Sequence, residues 1–450
     1  MSGPSHARLG LTTPPAVPGM RVVLDTRPLQ APDRAPVAAA YLDGLLGAFD
    51  AEPLAGESFA FLVGSDLEDA TERYHHLEVV GRRQLPPTRL LRSGALTVDP
   101  FLLRGASVGS AWQAERGGAA GAVYHAVGGG PLPLASGLPV VVTLLDLAPW
   151  ELPHLFQRSV ASRFGQRLRA QQVRQAAAVV VGSEATASAA RRLLRVRRER
   201  LHVVPLAPRA GFGLVPPKGS DRAVAELRAR LGIEGRYLVF TGRFDARLDL
   251  GTLLRALATL AAAARPDGLE PGVAWPPRVL LVGASPDDRA SIARAAARKG
   301  IGEALVYAPG LPPEELGGLV REARAAILPV VSEAAGLPVI EALASGTPVV
   351  ASSVGPLPEL IGPAGLLVEP GDADRLAIAL ATIWADDRVH AGLTTPLRER
   401  AVAAPRTWAD VARETRAIYA GVGTRPRGRP GGGPTSSRAT ARPAADPTRP

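Results

Sequence analysis

The chain has 450 residues, a length that at roughly 150 residues per domain suggests two to three domains. It has no cysteine, which excludes a disulfide scaffold, a cysteine–zinc site and a cysteine nucleophile. The formal net charge is +10, but residues 424–450 carry six Arg against one Asp, so half of the excess belongs to the tail and the charge argues little for nucleic acid as a partner.

Hydrophobic residues make up 46% and charged residues 21%, ordinary values for a soluble globular protein. Apolar runs are interrupted by charge before about 18 residues, so no membrane-spanning helix is expected. Residues 1–19 (MSGPSHARLGLTTPPAVPG) lack the apolar stretch of a secretory signal, which makes the cytoplasm the expected location. Together with the Pro-, Gly-, Ser- and Arg-rich tail at 424–450, they read as disordered, because they have too little apolar surface to offset the entropy of ordering.

Between these ends the pattern is strand, loop, helix, repeated. Short β-rich runs stand at 21–24, 59–63, 123–125, 140–144, 179–181 and 201–204, and after a Pro/Gly-rich stretch at 237–241, 279–282, 326–329, 348–351 and 365–368. Helical lengths and apolar spacing occur at 250–264, 286–299 and 313–323. The strands are continuously apolar rather than alternating, as burial on both faces requires, so parallel sheets covered by helices are expected.

The predicted fold is α/β, with two Rossmann-like domains, at 20–212 and 223–405, joined by a linker at 213–222 and facing a central cleft. A final helix at 406–423, carrying Trp408, Val411, Ile418 and Tyr419, is expected to pack back across the junction. Ligands of such sheets sit outside the carboxyl ends of the strands.

The most informative stretch is 328–371. A strand ends near Pro329, and Glu333 follows beyond the sheet edge. Gly336 permits a turn and close backbone approach, and Pro338 suits the first turn of a helix at 338–345. The positive end of that helix is suited to a phosphate or a sugar oxygen. Glu341 is expected in its first turn, so that two carboxylates could meet two separate parts of one ligand.

This segment, with two Glu separated by seven residues, GLP between them and EALASGTPVVAS following, resembles the donor-binding motif of retaining GT-B glycosyltransferases of the family-4 type, the glycosyl transferases group 1 proteins. The resemblance extends over most of 20–421, from MRVVLDTRPL through VYHAVGGGPLP to YLVFTGRFDARLDLGTLLRALA. It implies that Glu341 holds the ribose hydroxyls of a nucleoside diphosphate sugar and that Glu333 bonds the donor sugar. It also implies that backbone N–H groups near Gly336 and Leu337 touch the diphosphate or sugar, while Arg243 faces the leaving group. No metal or other cofactor is implied; cationic side chains and helix N-termini would offset the phosphate charge. The acceptor would be a saccharide or a lipid-linked sugar, and the transferred hexose, mannose by family frequency, would retain its configuration.

Departures from the family pattern are specific. Leu145 precedes Asp146 where a His–Asp pair is usual. Leu248 stands five residues after Arg243 where a Lys is usual, with Arg247 as the nearest cation. Residues 37–41 (VAAAY) replace a Gly-rich turn, and Ala334 and Ala335 follow Glu333 where Gly-Phe is usual. They leave open a catalytically degenerate protein that binds a sugar nucleotide or a partner glycosyltransferase without turnover.

His125 and Asp146, at strand ends of the first domain, are candidates for an acceptor cleft, with a structural role for His125 the alternative. Asp372 and Asp374 spell a DxD, for which helix N-capping is the expected role. Two Arg-rich helical stretches, 156–174 and 191–200, are either solvated faces or a basic surface seating the protein on the anionic inner face of a membrane.

Overall fold

Two parallel sheets organise the chain, and their central strands carry apolar residues that face both ways. The computed structural model describes residues 20–85, 121–130, 132–133, 137–217, 219–403 and 405–423. The expected disordered ends, 1–19 and 424–450, lie outside the described residues.

The first sheet has seven strands in the order β3-β2-β1-β4-β5-β6-β7. They are β1 (Met20–Asp25), β2 (Ser58–Gly64), β3 (Val79–Leu85), β4 (Gly121–Val127), β5 (Val140–Thr143), β6 (Ala178–Val181) and β7 (Leu201–Val203). In β1, Val22 and Leu24 enter one apolar cluster and Val23 the other, as a period of two between two covered faces requires. The second sheet has six strands in the order β10-β9-β8-β11-β12-β13, around one core that includes Phe240, Leu281, Val350 and Trp384. They are β8 (Leu238–Phe240), β9 (Val279–Val282), β10 (Leu305–Ala308), β11 (Ala325–Leu328), β12 (Val349–Ser352) and β13 (Gly365–Val368).

Among the helices, α1 (Pro36–Ala51) starts where the sequence shows VAAAY, and Ala38, Ala39 and Ala40 are buried at its first turns. Further along are α2 (Val160–Gln175), α3 (Glu184–Leu194), α4 (Leu250–Ala262), α5 (Leu337–Ala344), α6 (Leu357–Ile361) and α7 (Trp408–Gly423). Although last in the chain, α7 packs on the first sheet: Val411, Ile418, Tyr419 and Val422 enter its core, and the Trp408 ring meets Tyr41 edge-on at 5.7 Å. No helix among the described residues is long and apolar enough to cross a membrane.

Several expectations change. Strands β3 and β10 are additional. The stretch 156–174 is not one helix: a short turn, Pro153–Phe156, ends before α2, whose N-cap Ser159 accepts from the Ser162 N–H. In the stretch 191–200, α3 ends at Leu194, because Arg195 turns left-handed (φ 57°) and a 3₁₀ turn follows. Glu341 lies in the second turn of α5, not the first, since the helix begins at Leu337. Asp372 caps the helix Ala373–Ala385 through the Arg375 N–H at 2.9 Å.

Candidate active site

Chain direction fixes where a crevice opens. In the first sheet the connections reverse between β1 and β4, and in the second between β8 and β11. A crevice outside the carboxyl ends of those strands is the usual ligand position of open α/β sheets. In the second lobe it is bordered by the loop after β8, with Arg243 and Arg247, and the loop after β11, with Glu333. Contacts between the lobes join the same loops to the first lobe.

Arg247 donates from Nη2 to Asp146 of the first lobe at 3.2 Å and to Asp245 at 3.2 Å, and its guanidinium lies 5.7 Å from the Phe156 ring centroid. Ser332 Oγ donates to Glu151, and Thr186 Oγ1 donates to the carbonyl of Ala334 at 2.9 Å. Burial pushes the Glu151 carboxyl above the ordinary range, and the Ser332 hydrogen bond opposes that rise. Glu359 of α6 accepts from the backbone N–H groups of Glu184 at 3.1 Å and Ala185 at 2.9 Å, capping α3 from the other lobe.

Of the predicted residues, Arg243 is half-buried and paired with Asp245 at 3.0 Å. Glu333 folds over its own loop: one carboxylate oxygen accepts from the N–H groups of Ala334, Ala335 and Gly336 at 3.0, 3.0 and 2.9 Å. Three converging amides make this loop a small anion cradle, and its own side chain is the anion it holds. Gly336 is left-handed (φ 66°), the conformation needed to turn from the loop into α5. Leu337, beside it, is buried with Ala334 and Ala335. The two alanines enter the apolar clusters of the first lobe, so this loop is an inter-lobe contact.

Glu341 is 2% exposed and is gripped by Arg209, a residue outside the sequence-derived set. Burial pushes its carboxyl above the ordinary range, and Arg209 opposes the rise. Leu248 is an element of structure: it pairs with Val330 as an isolated antiparallel bridge and packs on the second core.

In the first lobe, Asp146 reaches the crevice, held by the Ala148 N–H at 2.9 Å on one side and by Arg247 on the other. Leu145 is buried in the core. His125 does not line a cleft. It is fully buried, with Nδ1 2.6 Å from Tyr419 Oη and Nε2 2.8 Å from Thr143 Oγ1, and burial drives its pKa down to about 3. Its neighbours claim both ring nitrogens, so it is a neutral structural histidine. The Gly128–Gly129–Gly130 turn after β4 is clamped from behind by Arg169, which donates to all three carbonyls. Burial lowers the Arg169 pKa to about 10.

Arg209, Asp245, Glu151, Arg169 and Glu359 were absent from the sequence-derived set. Only Asp245, two residues from Arg243, had a local signal; the others act across the lobes or through the interior. Among the described residues, no three His, Asp or Glu side chains converge as a metal cage would require.

Residues 235–386 match the family model described as glycosyl transferases group 1. An MMP α-(1→4)-mannosyltransferase of Mycolicibacterium hassiacum is 40% identical over 126 residues, 27% of this chain and 30% of that protein. A D-inositol 3-phosphate glycosyltransferase of Nocardia farcinica is 37% identical over 242 residues, 50% of this chain and 49% of that one. The chain thus spans half or less of the length of these curated relatives. Sucrose-phosphate synthase of Thermosynechococcus elongatus aligns with TM-score 0.64 at 22% identity, over 90% of this chain and 98% of that one. Anabaena HepE, solved with UDP and glucose, aligns with TM-score 0.61 at 17% identity, over 90% of this chain and 100% of that one. These structural likenesses speak for the fold alone: two parallel α/β sheets in a GT-B-like arrangement, of which residues 235–386 form a glycosyl transferases group 1 domain.

Proposed function

We propose that the chain transfers a hexose from a nucleoside diphosphate sugar to a saccharide or lipid-linked acceptor with retention of configuration. The observation that carries this reading is the gathering of Arg243, Arg247 and Glu333 at the switch point of the second sheet, opposite Asp146 of the first. Arg243 and Arg247 would stabilise the charge that grows on the departing diphosphate, so that no metal is required. The amides of 334–336 and the Glu333 carboxylate would hold the sugar, and Glu341 the ribose. Asp146 would face the acceptor. The M. hassiacum relative makes mannose the first hexose to test.

Incubation with UDP-, GDP- and TDP-sugars, read as release of nucleoside diphosphate, tests the reading. Release that falls about 10²–10³-fold in Glu333→Gln supports it. No release and no binding with any donor removes it.

A second reading has its own support: Leu145 is a core residue, Leu248 packs partly buried against the second core, and Glu333 and Glu341 are satisfied by partners within the chain. In that reading the protein binds a sugar nucleotide, or a partner glycosyltransferase, without turnover. Binding without release, with release gained in Leu145→His combined with Leu248→Lys, would favour it.

We further propose cytoplasmic placement with peripheral contact to an anionic membrane. On α2, Val160 and Phe164 are 75% and 52% exposed one helical turn apart, beside exposed Arg158, Arg163 and Arg167. Sedimentation with liposomes that does not depend on anionic lipid would remove this contact.

A further inference from the structure

The two carboxylate oxygens of Glu341 are not held by a neighbour in sequence. Arg209, 132 residues away on the connector after β7, donates from Nε to Oε1 at 2.5 Å and from Nη2 to Oε2 at 3.0 Å. Glu341 is 3% exposed at its side chain and Arg209 27%, so the arginine is the more accessible member of the pair. A guanidinium fork offers a carboxylate two parallel N–H donors. A ribose offers it two vicinal hydroxyls, the same number of donors from one rigid group.

Arg209 also has somewhere else to go. It lines a cavity of about 400 Å³ with Asp43, Gly44, Gly47 and Trp408, and Asp43 and Glu314 both act on its charge. The Phe212 ring lies 5.1 Å below the guanidinium, an apolar face over which it can turn. Asp43 itself is half-exposed and already accepts from Arg73 at 2.6 Å and Tyr74 at 2.8 Å, which anchor it at the cavity rim.

We propose that Arg209 is a displaceable occupant of the ribose seat: it holds Glu341 as the structure stands, and it turns across the cavity to Asp43 when a nucleoside diphosphate binds. This rests on the reading of Glu341 as the ribose-binding carboxylate. Nucleotide affinity is then set by an exchange, Arg209 leaving one carboxylate for another while two hydroxyls take its place. The ion pair stabilises the state in which the ribose seat is covered, and Asp43 stabilises the state in which it is open.

The test is calorimetric titration of UDP and GDP into the full chain and the variants Arg209→Met, Asp43→Asn and Glu341→Gln, each checked by thermal unfolding. Arg209→Met should bind about tenfold tighter, equivalent to about 1.4 kcal/mol; Asp43→Asn should bind more weakly, and Glu341→Gln should lose binding. Equal or weaker binding by Arg209→Met overturns the exchange. Should that variant fail to fold, Arg209→Lys, with no fork to hold both oxygens, must show the same tightening or the proposal falls. If the unaltered chain binds and Glu341→Gln does not, a failure of the Arg209 variants sinks only the exchange. If neither nucleotide binds the unaltered chain or any variant, the ribose role of Glu341 fails and takes the exchange with it.

Discussion

Arg247 and Asp146 belong to different lobes and meet at 3.2 Å, the second lobe's cation against the first lobe's strand-end carboxylate. Arg247 is 14% exposed at its side chain and also bonds Asp245, so a guanidinium held between two carboxylates bridges the crevice. Because the pair is partly desolvated, it should couple more strongly than an exposed ion pair. In a double-mutant cycle of Arg247→Ala and Asp146→Asn, denaturant unfolding should return a coupling of about 0.5–3 kcal/mol. Additive losses would show that the two charges do not sense each other.

The interior bond between His125 and Tyr419 ties β4 to α7, and the burial of His125 gives stability a pH dependence. Folding holds His125 neutral with a pKa of about 3, whereas the unfolded chain titrates near 6.5, so between these values the unfolded chain binds the additional proton. Stability from this group is therefore complete above pH 6.5 and falls as the pH drops through that window, by about 1.4 kcal/mol per pH unit. His390, lowered to about 4 chiefly by burial, adds a smaller loss over the same range. Unfolding free energy measured from pH 7 to 5 should fall less steeply in His125→Gln than in the unaltered chain; parallel curves would contradict a buried neutral imidazole. Tyr419→Phe should cost about 1–3 kcal/mol at pH 7, because it strands a buried ring nitrogen.

What could be read from the residues, and what could not, follows from the range of the contact involved. The continuous apolar runs of β1, β2, β9 and β12 announce strands covered on both faces, because each run holds its own pattern. Glu333, Gly336 and Pro338 announce a turn into a helix for the same local reason. Strand β3 escaped because it is an edge strand with Arg82 and Arg83 among its residues, and β10 because four residues followed by a Pro-rich loop carry little signal. The partners of Glu341 and His125 were beyond reach, whereas those of Glu333 lie within three residues of it. Arg209 stands 132 residues from Glu341, and Tyr419 stands 294 residues from His125, so only folding brings them together. His125 illustrates the cost of carrying a strand-end position over by resemblance: α7 packs where an open cleft wall was expected.

Glu359 caps a helix that belongs to the other lobe. Its two oxygens accept from the first amides of α3, where the helix dipole favours a negative charge and where Ser183 already serves Thr186. Replacement by Gln keeps the shape and removes the charge. Glu359→Gln should lower stability by about 0.5–1 kcal/mol and Glu359→Ala by about 1–2 kcal/mol. Hydrogen exchange at Glu184 and Ala185 should quicken in both variants, with the Ser183-bonded amide of Thr186 less affected. Unchanged exchange at 184 and 185 would mean that the cap contributes nothing to holding the lobes together.

Gly355 fixes the position of Glu333 through space alone. Its φ is 51°, and a Cβ there would lie 2.1 Å from the Glu333 carbonyl oxygen, a backbone atom with no freedom to yield. Gly355→Ala must therefore move the 333–336 loop or the turn before α6, and in either case it breaks the alignment of the Glu333 carboxylate with the three amides it caps. Left-handed backbone on a residue with a side chain adds about 1 kcal/mol to the steric cost. The expected result is a loss of at least about 2 kcal/mol in stability, in the range of core overpacking. Nucleotide-sugar binding should weaken in parallel, although position 355 offers a ligand no side chain. The contrasting control is Gly371→Ala: φ is 82° there, but nothing lies within 4 Å of the added carbon, so only the backbone strain should register and the glutamate loop should be untouched. If Gly355→Ala and Gly371→Ala cost the same stability and both leave nucleotide-sugar binding intact, close packing at Gly355 is not what holds the loop in place.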